Sequence, residues 1–180
     1  MKKTTMILGV FFALMTATAY GQETGARDER GLRFQLKPAK FQVFVGVGEV
    51  IIDGDTVAET QIGGIATIHP IGKKFFLRPY LSVGTIDPEK AGAESFEAVQ
   101  GGALVGYKVS KRFTVLAGGS VTMLFLDKET EYRPTLNVAT ATTIKKFESG
   151  TLQLLTPISV NQTPNGDWST VAVVGIGFVF

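Results

Sequence analysis

At 180 residues the chain suits one domain, since domains run to roughly 100–200 residues, and its 18 Lys and Arg nearly balance 16 Asp and Glu, for a net charge of +2. That balance leaves no basic block able to hold a nucleic-acid backbone, which excludes the nucleic-acid-binding classes. The absence of cysteine excludes both a disulfide framework and lipoprotein acylation.

The N-terminus has the form of an export signal. Lys2 and Lys3 precede an apolar run from Met6 to Met15, and Ala17-Thr18-Ala19 supplies the small residues of a cleavage site. The run is too short to cross a bilayer as a helix, which needs roughly 20 residues. The reading is therefore a signal peptide over residues 1–19. Its removal takes Lys2 and Lys3 with it and leaves a formally neutral chain. Residues 20–40 read as an N-terminal periplasmic segment. Gly21 to Gly31 is polar, while Leu32, Phe34 and Leu36 alternate and could prolong a first strand.

After residue 19 no apolar stretch approaches the length of a spanning helix. Yet the chain is rich in Gly, Val, Thr and Phe and its mean hydropathy is positive. An exported, apolar chain without such a helix points to the other structure that pairs every backbone group in lipid, a closed β-barrel. From residue 41 the hydrophobic period is two. Eight strands are expected, near 41–52, 56–68, 75–86, 95–109, 112–126, 135–145, 151–163 and 168–180. The expected fold is an all-β, eight-stranded antiparallel up-and-down transmembrane barrel over residues 41–180.

The third segment sets Phe75, Leu77, Leu81 and Val83 against Arg78, Tyr80, Ser82 and Gly84. The fifth sets Phe113, Val115, Ala117, Val121, Met123 and Phe125 against Thr114, Gly118, Ser120 and Thr122. In the seventh, Leu152, Leu154, Ile158 and Val160 oppose Gln153, Ser159 and Asn161. The last carries Thr170, Ala172, Val174, Ile176, Phe178 and Phe180 on one side and Ser169, Val171, Val173, Gly175 and Gly177 on the other. Bulky apolar groups facing small ones suit lipid outside and a tight lumen inside. A solvated sheet face would carry more charge.

The inward set expected on this basis is Phe44, Glu59, Gln61, Phe76, Arg78, Tyr80, Phe96, Gln100, Leu104 and Leu116. The polar members, Glu59, Gln61, Arg78, Tyr80 and Gln100, are the candidate lumen site. Side chains fill the interior of an eight-stranded barrel, which argues against an open pore. Pro79 and Pro157 fall inside strands, although a closed barrel has no free edge to absorb a missing donor; bulges or a rim position would accommodate them.

The connections alternate in charge. Asp53–Asp55, Asp87–Glu94, Asp127–Pro134 and Pro164–Asp167 are mainly acidic, whereas His69–Lys74, Ser110–Arg112 and Lys145–Gly150 are mainly basic. The acidic set could bind divalent cations, but its spacing fits no EF-hand loop and solvated loops are the simpler reading. His69, the single histidine, precedes Pro70 in an expected turn and has no adjacent Ser. A catalytic role would need an activated nucleophile and an orienting acid beside it. The pairs Gly63-Gly64, Gly101-Gly102 and Gly118-Gly119 complete no phosphate-binding loop and read as curvature or close packing in strands. Tyr80, Tyr107, Tyr132 and Trp168 fall near strand ends, where aromatic girdles belong. No residue set suggests a cofactor, a metal centre or a catalytic site.

The stretch Val105-Gly106-Tyr107-Lys108-Val109-Ser110-Lys111-Arg112-Phe113-Thr114-Val115 resembles a turn found in small outer-membrane barrels. Arg78-Pro79-Tyr80-Leu81-Ser82-Val83-Gly84 is similar to another of their strands. Phe180, with Phe178 and Ile176 on its face, resembles the C-terminal signal read by the barrel assembly machinery. The resemblance is to the OmpA-, OmpX- and OmpW-like barrels and spans residues 41–180. It implies an outer-membrane location and a non-enzymatic structural or surface-interaction role. The implied partners are outer-membrane lipid, lipopolysaccharide and the assembly machinery, with the protein monomeric. A narrow conduit for small hydrophobic molecules and a lipid-modifying barrel enzyme are the alternatives, though the His-x-Ser pattern of lipid A deacylases is absent. A soluble lipocalin-like carrier is the structural competitor. Such carriers have Gly-x-Trp in their first strand, whereas the sole Trp here is Trp168.

Overall fold

Two residues, Asp53 and Gly54, reverse the chain between the first two strands, and both take positive φ (52° and 93°). That pair of conformations belongs to the tight hairpin turns whose twist matches paired strands, and an Asp-Gly sequence reaches them at low cost. Antiparallel hairpins with longer links repeat around the molecule. The computed structural model describes residues 39–88, 94–126, 129–163 and 166–180; the expected signal peptide and nearly all of the segment 20–40 lie outside them.

The strands are β1 (Lys40–Ile52), β2 (Asp55–Pro70), β3 (Phe75–Pro88), β4 (Phe96–Lys108), β5 (Phe113–Phe125), β6 (Thr130–Lys146), β7 (Thr151–Gln162) and β8 (Trp168–Val179). Each pairs antiparallel with its chain neighbours, and β8 closes on β1 through Gln42↔Val179 to Ile52↔Ser169. The shortest strands have 12 residues, more than the roughly 9–11 that a tilted strand needs to cross hydrocarbon. Closure leaves no unpaired edge, as lipid requires.

The outer surface is apolar in vertical rows. On β5 the row is Phe113, Val115, Ala117, Gly119, Val121, Met123 and Phe125; on β8 Val174 and Ile176 are about half exposed. Polar groups within these rows find partners where they can. Thr140 and Thr156, neighbours on β6 and β7, hydrogen-bond through their hydroxyls at 2.6 Å.

At the end bearing the β2–β3, β4–β5 and β6–β7 links, aromatic rings gather on the outside. Phe75 packs on Tyr107 at 4.9 Å between centroids, Phe178 on Phe180 at 4.9 Å, Phe147 on Phe178 at 6.0 Å, and Phe41 on Phe180 at 6.3 Å. Lys74 and Lys145 place their ammonium groups over Tyr107 and Phe147. Rings with an apolar body and a polar or cationic fringe suit the boundary between hydrocarbon and water. Tyr132 and Trp168 stand outward toward the opposite end, both more than half exposed.

The strand prolines sit where the ladder lets go. Pro79 pairs with Ala103 of β4, but on its β2 side the pairing skips from Ala66↔Tyr80 to His69↔Leu77. Pro157 pairs with Ala139 of β6, while toward β8 the pairing skips from Leu155↔Gly175 to Ile158↔Ala172. Each missing N–H therefore faces an interruption rather than a stranded carbonyl row. Pro134 extends β6 beyond the last β7 pair, Thr135↔Asn161, and is matched only by Val121 of β5. This makes β6 longer than expected and draws Glu131 and Arg133 out of the expected loop into the strand.

Candidate functional site

The interior has two unlike halves. In the half nearer the aromatic end, Phe44, Ala66, Phe76, Leu104, Leu116, Ala139, Ala141 and Leu155 form a continuous core. Leu116 is 1% exposed. A ring fits into so narrow a tube only by lying across a residue without a side chain. Phe44 lies over its cross-strand partner Gly64 and Phe76 over Gly106, where any Cβ would collide with the ring. Below them, fully buried Gln42 donates from Nε2 to Oε1 of Gln153 at 3.1 Å. The tube is closed at this end.

Among the described residues the other half is hollow. A cavity of about 380 Å³ is walled chiefly by Val50, Ile52, Ala58, Ile62, Ile86, Phe96, Leu124 and Val171, with Pro88, Leu126 and Thr163 at its mouth. That volume falls in the range of small-molecule sites, roughly 300–1,000 Å³. At its base is a ring of side-chain amides and hydroxyls. Gln100 donates from Nε2 to Ser120 Oγ (3.0 Å) and to Asn137 Oδ1 (3.2 Å). Asn137 donates from Nδ2 to Ser120 Oγ (2.8 Å), and Ser159 Oγ donates to Asn137 Oδ1 (2.7 Å). Thr122 and Thr135 share a hydrogen bond at 3.0 Å just above. Amides and hydroxyls linked in this way tie β4, β5, β6 and β7 together.

Arg78 lies between the halves. It is 6% exposed, and its guanidinium stands over the Phe44 ring, 5.6 Å from the centroid. A second void of about 80 Å³ adjoins it, lined also by Tyr80, Ser82, Gln100, Asn137 and Ser159. Among the described residues the one ion pair is Arg133 with Glu131, at 2.6 Å on β6; Arg78 has no carboxylate partner there, and its Nε has no hydrogen-bond partner.

Of the expected lumen residues, Arg78, Tyr80 and Gln100 line the interior. Glu59 and Gln61 do not. They stand exposed on the outer face of β2, beside Glu49 and Val47 of β1. The inward row of β2 is Ala58, Thr60, Ile62, Gly64 and Ala66, because Ala58, Thr60 and Ala66 are buried. The turn at Asp53-Gly54 and the register with β1 fix this parity, against the polarity of the side chains. Tyr80 packs against the core and so is no part of the girdle, unlike exposed Tyr107, Tyr132 and Trp168.

His69 belongs to β2 rather than to a turn, and its Nε2 is 2.9 Å from Thr67 Oγ1. Ile176, Phe178 and Phe180 share the outer face of the last segment, two of them in ring contact. Among the described residues no group of three His, Cys, Asp or Glu is placed to hold a metal ion. Asn137, the hub of the amide ring, was missed by sequence reasoning. Its signal was a single polar side chain between Leu136 and Val138, two residues that face outward.

No protein-family model matches the chain, and no curated protein is similar to it in sequence. Its fold does match solved structures. Neisserial surface protein A is 13% identical over 80% of this chain and all of its own, with a TM-score of 0.54. Ail, the attachment invasion locus protein of Yersinia pestis, is 8% identical over 80% of this chain and all of its own, with a TM-score of 0.53. The same protein in a phospholipid bilayer nanodisc is 9% identical over 79% of this chain, with a TM-score of 0.50. With its closed eight-stranded sheet, apolar exterior and aromatic end, the chain has the fold of the small outer-membrane transmembrane β-barrels.

Proposed function

We propose that this protein is an integral outer-membrane barrel with a non-enzymatic, structural or surface-interaction role, exported through the signal at residues 1–19. The observation that carries the reading is the combination of an apolar exterior with a closed interior floor. A barrel plugged by Phe44, Phe76, Leu104, Leu116 and Leu155 serves as an anchor rather than a pore. The acidic connections then face outward from the cell and the lysine-flanked aromatic end faces the periplasm. Outer-membrane lipid and lipopolysaccharide surround it, and the assembly machinery reads the face of Ile176, Phe178 and Phe180. The protein acts as a monomer. Two fold neighbours are named for surface location and for attachment and invasion, and one Ail structure holds the heparin analogue sucrose octasulfate; these names support a surface role without fixing a partner.

Reconstitution into planar bilayers tests the reading. The expected result is a folded, heat-modifiable band on gels with no single-channel conductance. Steady conductance would instead favour a conduit. The observation on the side of a conduit for small hydrophobic molecules is the open apolar upper cavity.

A further inference from the structure

Among the described residues, the inside of this barrel holds one positive charge, Arg78, with no balancing carboxylate. Arg133 is neutralised by Glu131. Arg78 is buried, and neither the large cavity nor the small void beside it has an Asp or Glu in its wall. An Arg held away from water without a counter-charge is costly by several kcal/mol, and the Phe44 ring face offsets only a part of that. Its Nε, a donor that normally serves planar anions, is unpartnered.

The two spaces adjoin. Ile62, Ser82, Gln100, Ser159 and Val171 line both, so the small void by Arg78 lies directly beneath the large cavity. Above the polar base the wall is mainly apolar, with Val50, Ile52, Ile86, Phe96 and Leu124, and with Arg133 already held by Glu131; among the described residues it reaches the strand ends at Pro88 and Leu126. A fixed cation at the foot of an apolar well complements one kind of molecule: an anionic head on a single alkyl chain. We infer that the lumen binds an alkyl carboxylate, with its head on Arg78 and the amides of Gln100 and Asn137, and its chain along the upper cavity. This goes beyond the surface role proposed above and stands without it.

The test uses the full folded chain in bilayer nanodiscs, titrated with decanoate, decanol and acetate, and followed by the side-chain amide NMR signals of Gln100 and Asn137. Decanoate should perturb both signals and bind at least tenfold tighter than either decanol or acetate. Arg78→Gln should weaken decanoate at least tenfold and leave decanol unchanged, while Arg78→Lys keeps most of the preference. Equal binding of decanoate and decanol would overturn the inference, as would an unchanged affinity in Arg78→Gln. Acetate binding as tightly as decanoate would reduce the site to a simple anion pocket and overturn it as well. Should Arg78→Gln fail to give the heat-modifiable folded band, Val171→Phe decides instead. It narrows the well above the guanidinium, so it must weaken decanoate tenfold and spare acetate; equal losses or none would refute the assignment.

Discussion

The lower and upper halves of the lumen are made from the same eight strands, yet one is solid and the other hollow. In the lower half the large inward side chains are matched to glycines, Phe44 to Gly64 and Phe76 to Gly106, so that volume is complementary from strand to strand. In the upper half many inward positions are small or medium-sized, including Val50, Ala58, Ser82, Ala98, Thr122 and Val171. A space remains there. Stability is thus concentrated at one end, and the capacity to hold something is concentrated at the other.

Four substitutions distinguish the two halves. Gly64→Val should have the largest effect. Its Cβ would meet the carbonyl of Leu81 and the Phe44 ring together, an overpacking cost of about 3 kcal/mol, read as loss of the heat-modifiable band. Leu116→Ala, at the most buried core leucine, should lower unfolding free energy in urea by about 3 kcal/mol while leaving decanoate binding intact. Asn137→Leu removes the hub of the amide ring and leaves Gln100 and Ser159 short of a partner. It should cost about 2 kcal/mol and broaden the NMR signals of β4 to β7. Glu59→Gln should have the smallest effect. Removing one of two like charges that face each other across β1 and β2 should slightly raise the unfolding midpoint. Were Glu59 inside the lumen instead, the same change would alter the cavity's charge and shift decanoate affinity.

How far the sequence revealed the molecule differs by strand for the same physical reason. β5 and β8 touch lipid along their whole outer rows, so polarity and direction coincide, and their faces were legible at sight. On β2 they part. Its inward residues Ala58, Ile62 and Ala66 are apolar, and Glu59 and Gln61 point out beside Glu49. Polarity alone put those two inside; only pairing with β1 decides. Arg78, by contrast, was legible because the outward row of β3, with Phe75, Leu77, Leu81 and Val83, is unambiguous. The division of the lumen was not legible, since it depends on which inward residues share a level. That is a matter of register across eight strands, which a linear pattern does not contain.

Alternate residues of each strand face outward from the barrel and inward to its lumen, with β2 turning Glu59 out and Thr60 in. The chain has no native cysteine, so single nitroxide labels can be placed at Val121, Ser120, Glu59 and Thr60 of the protein in bilayers. Their collision rates with oxygen and with a water-soluble nickel chelate would then be compared. The account predicts oxygen-rich, chelate-poor behaviour at Val121, protection from oxygen at Ser120 and Thr60, and an outward-facing signal at Glu59. Oxygen-rich behaviour at Ser120 and Thr60, with Val121 and Glu59 shielded, would contradict it.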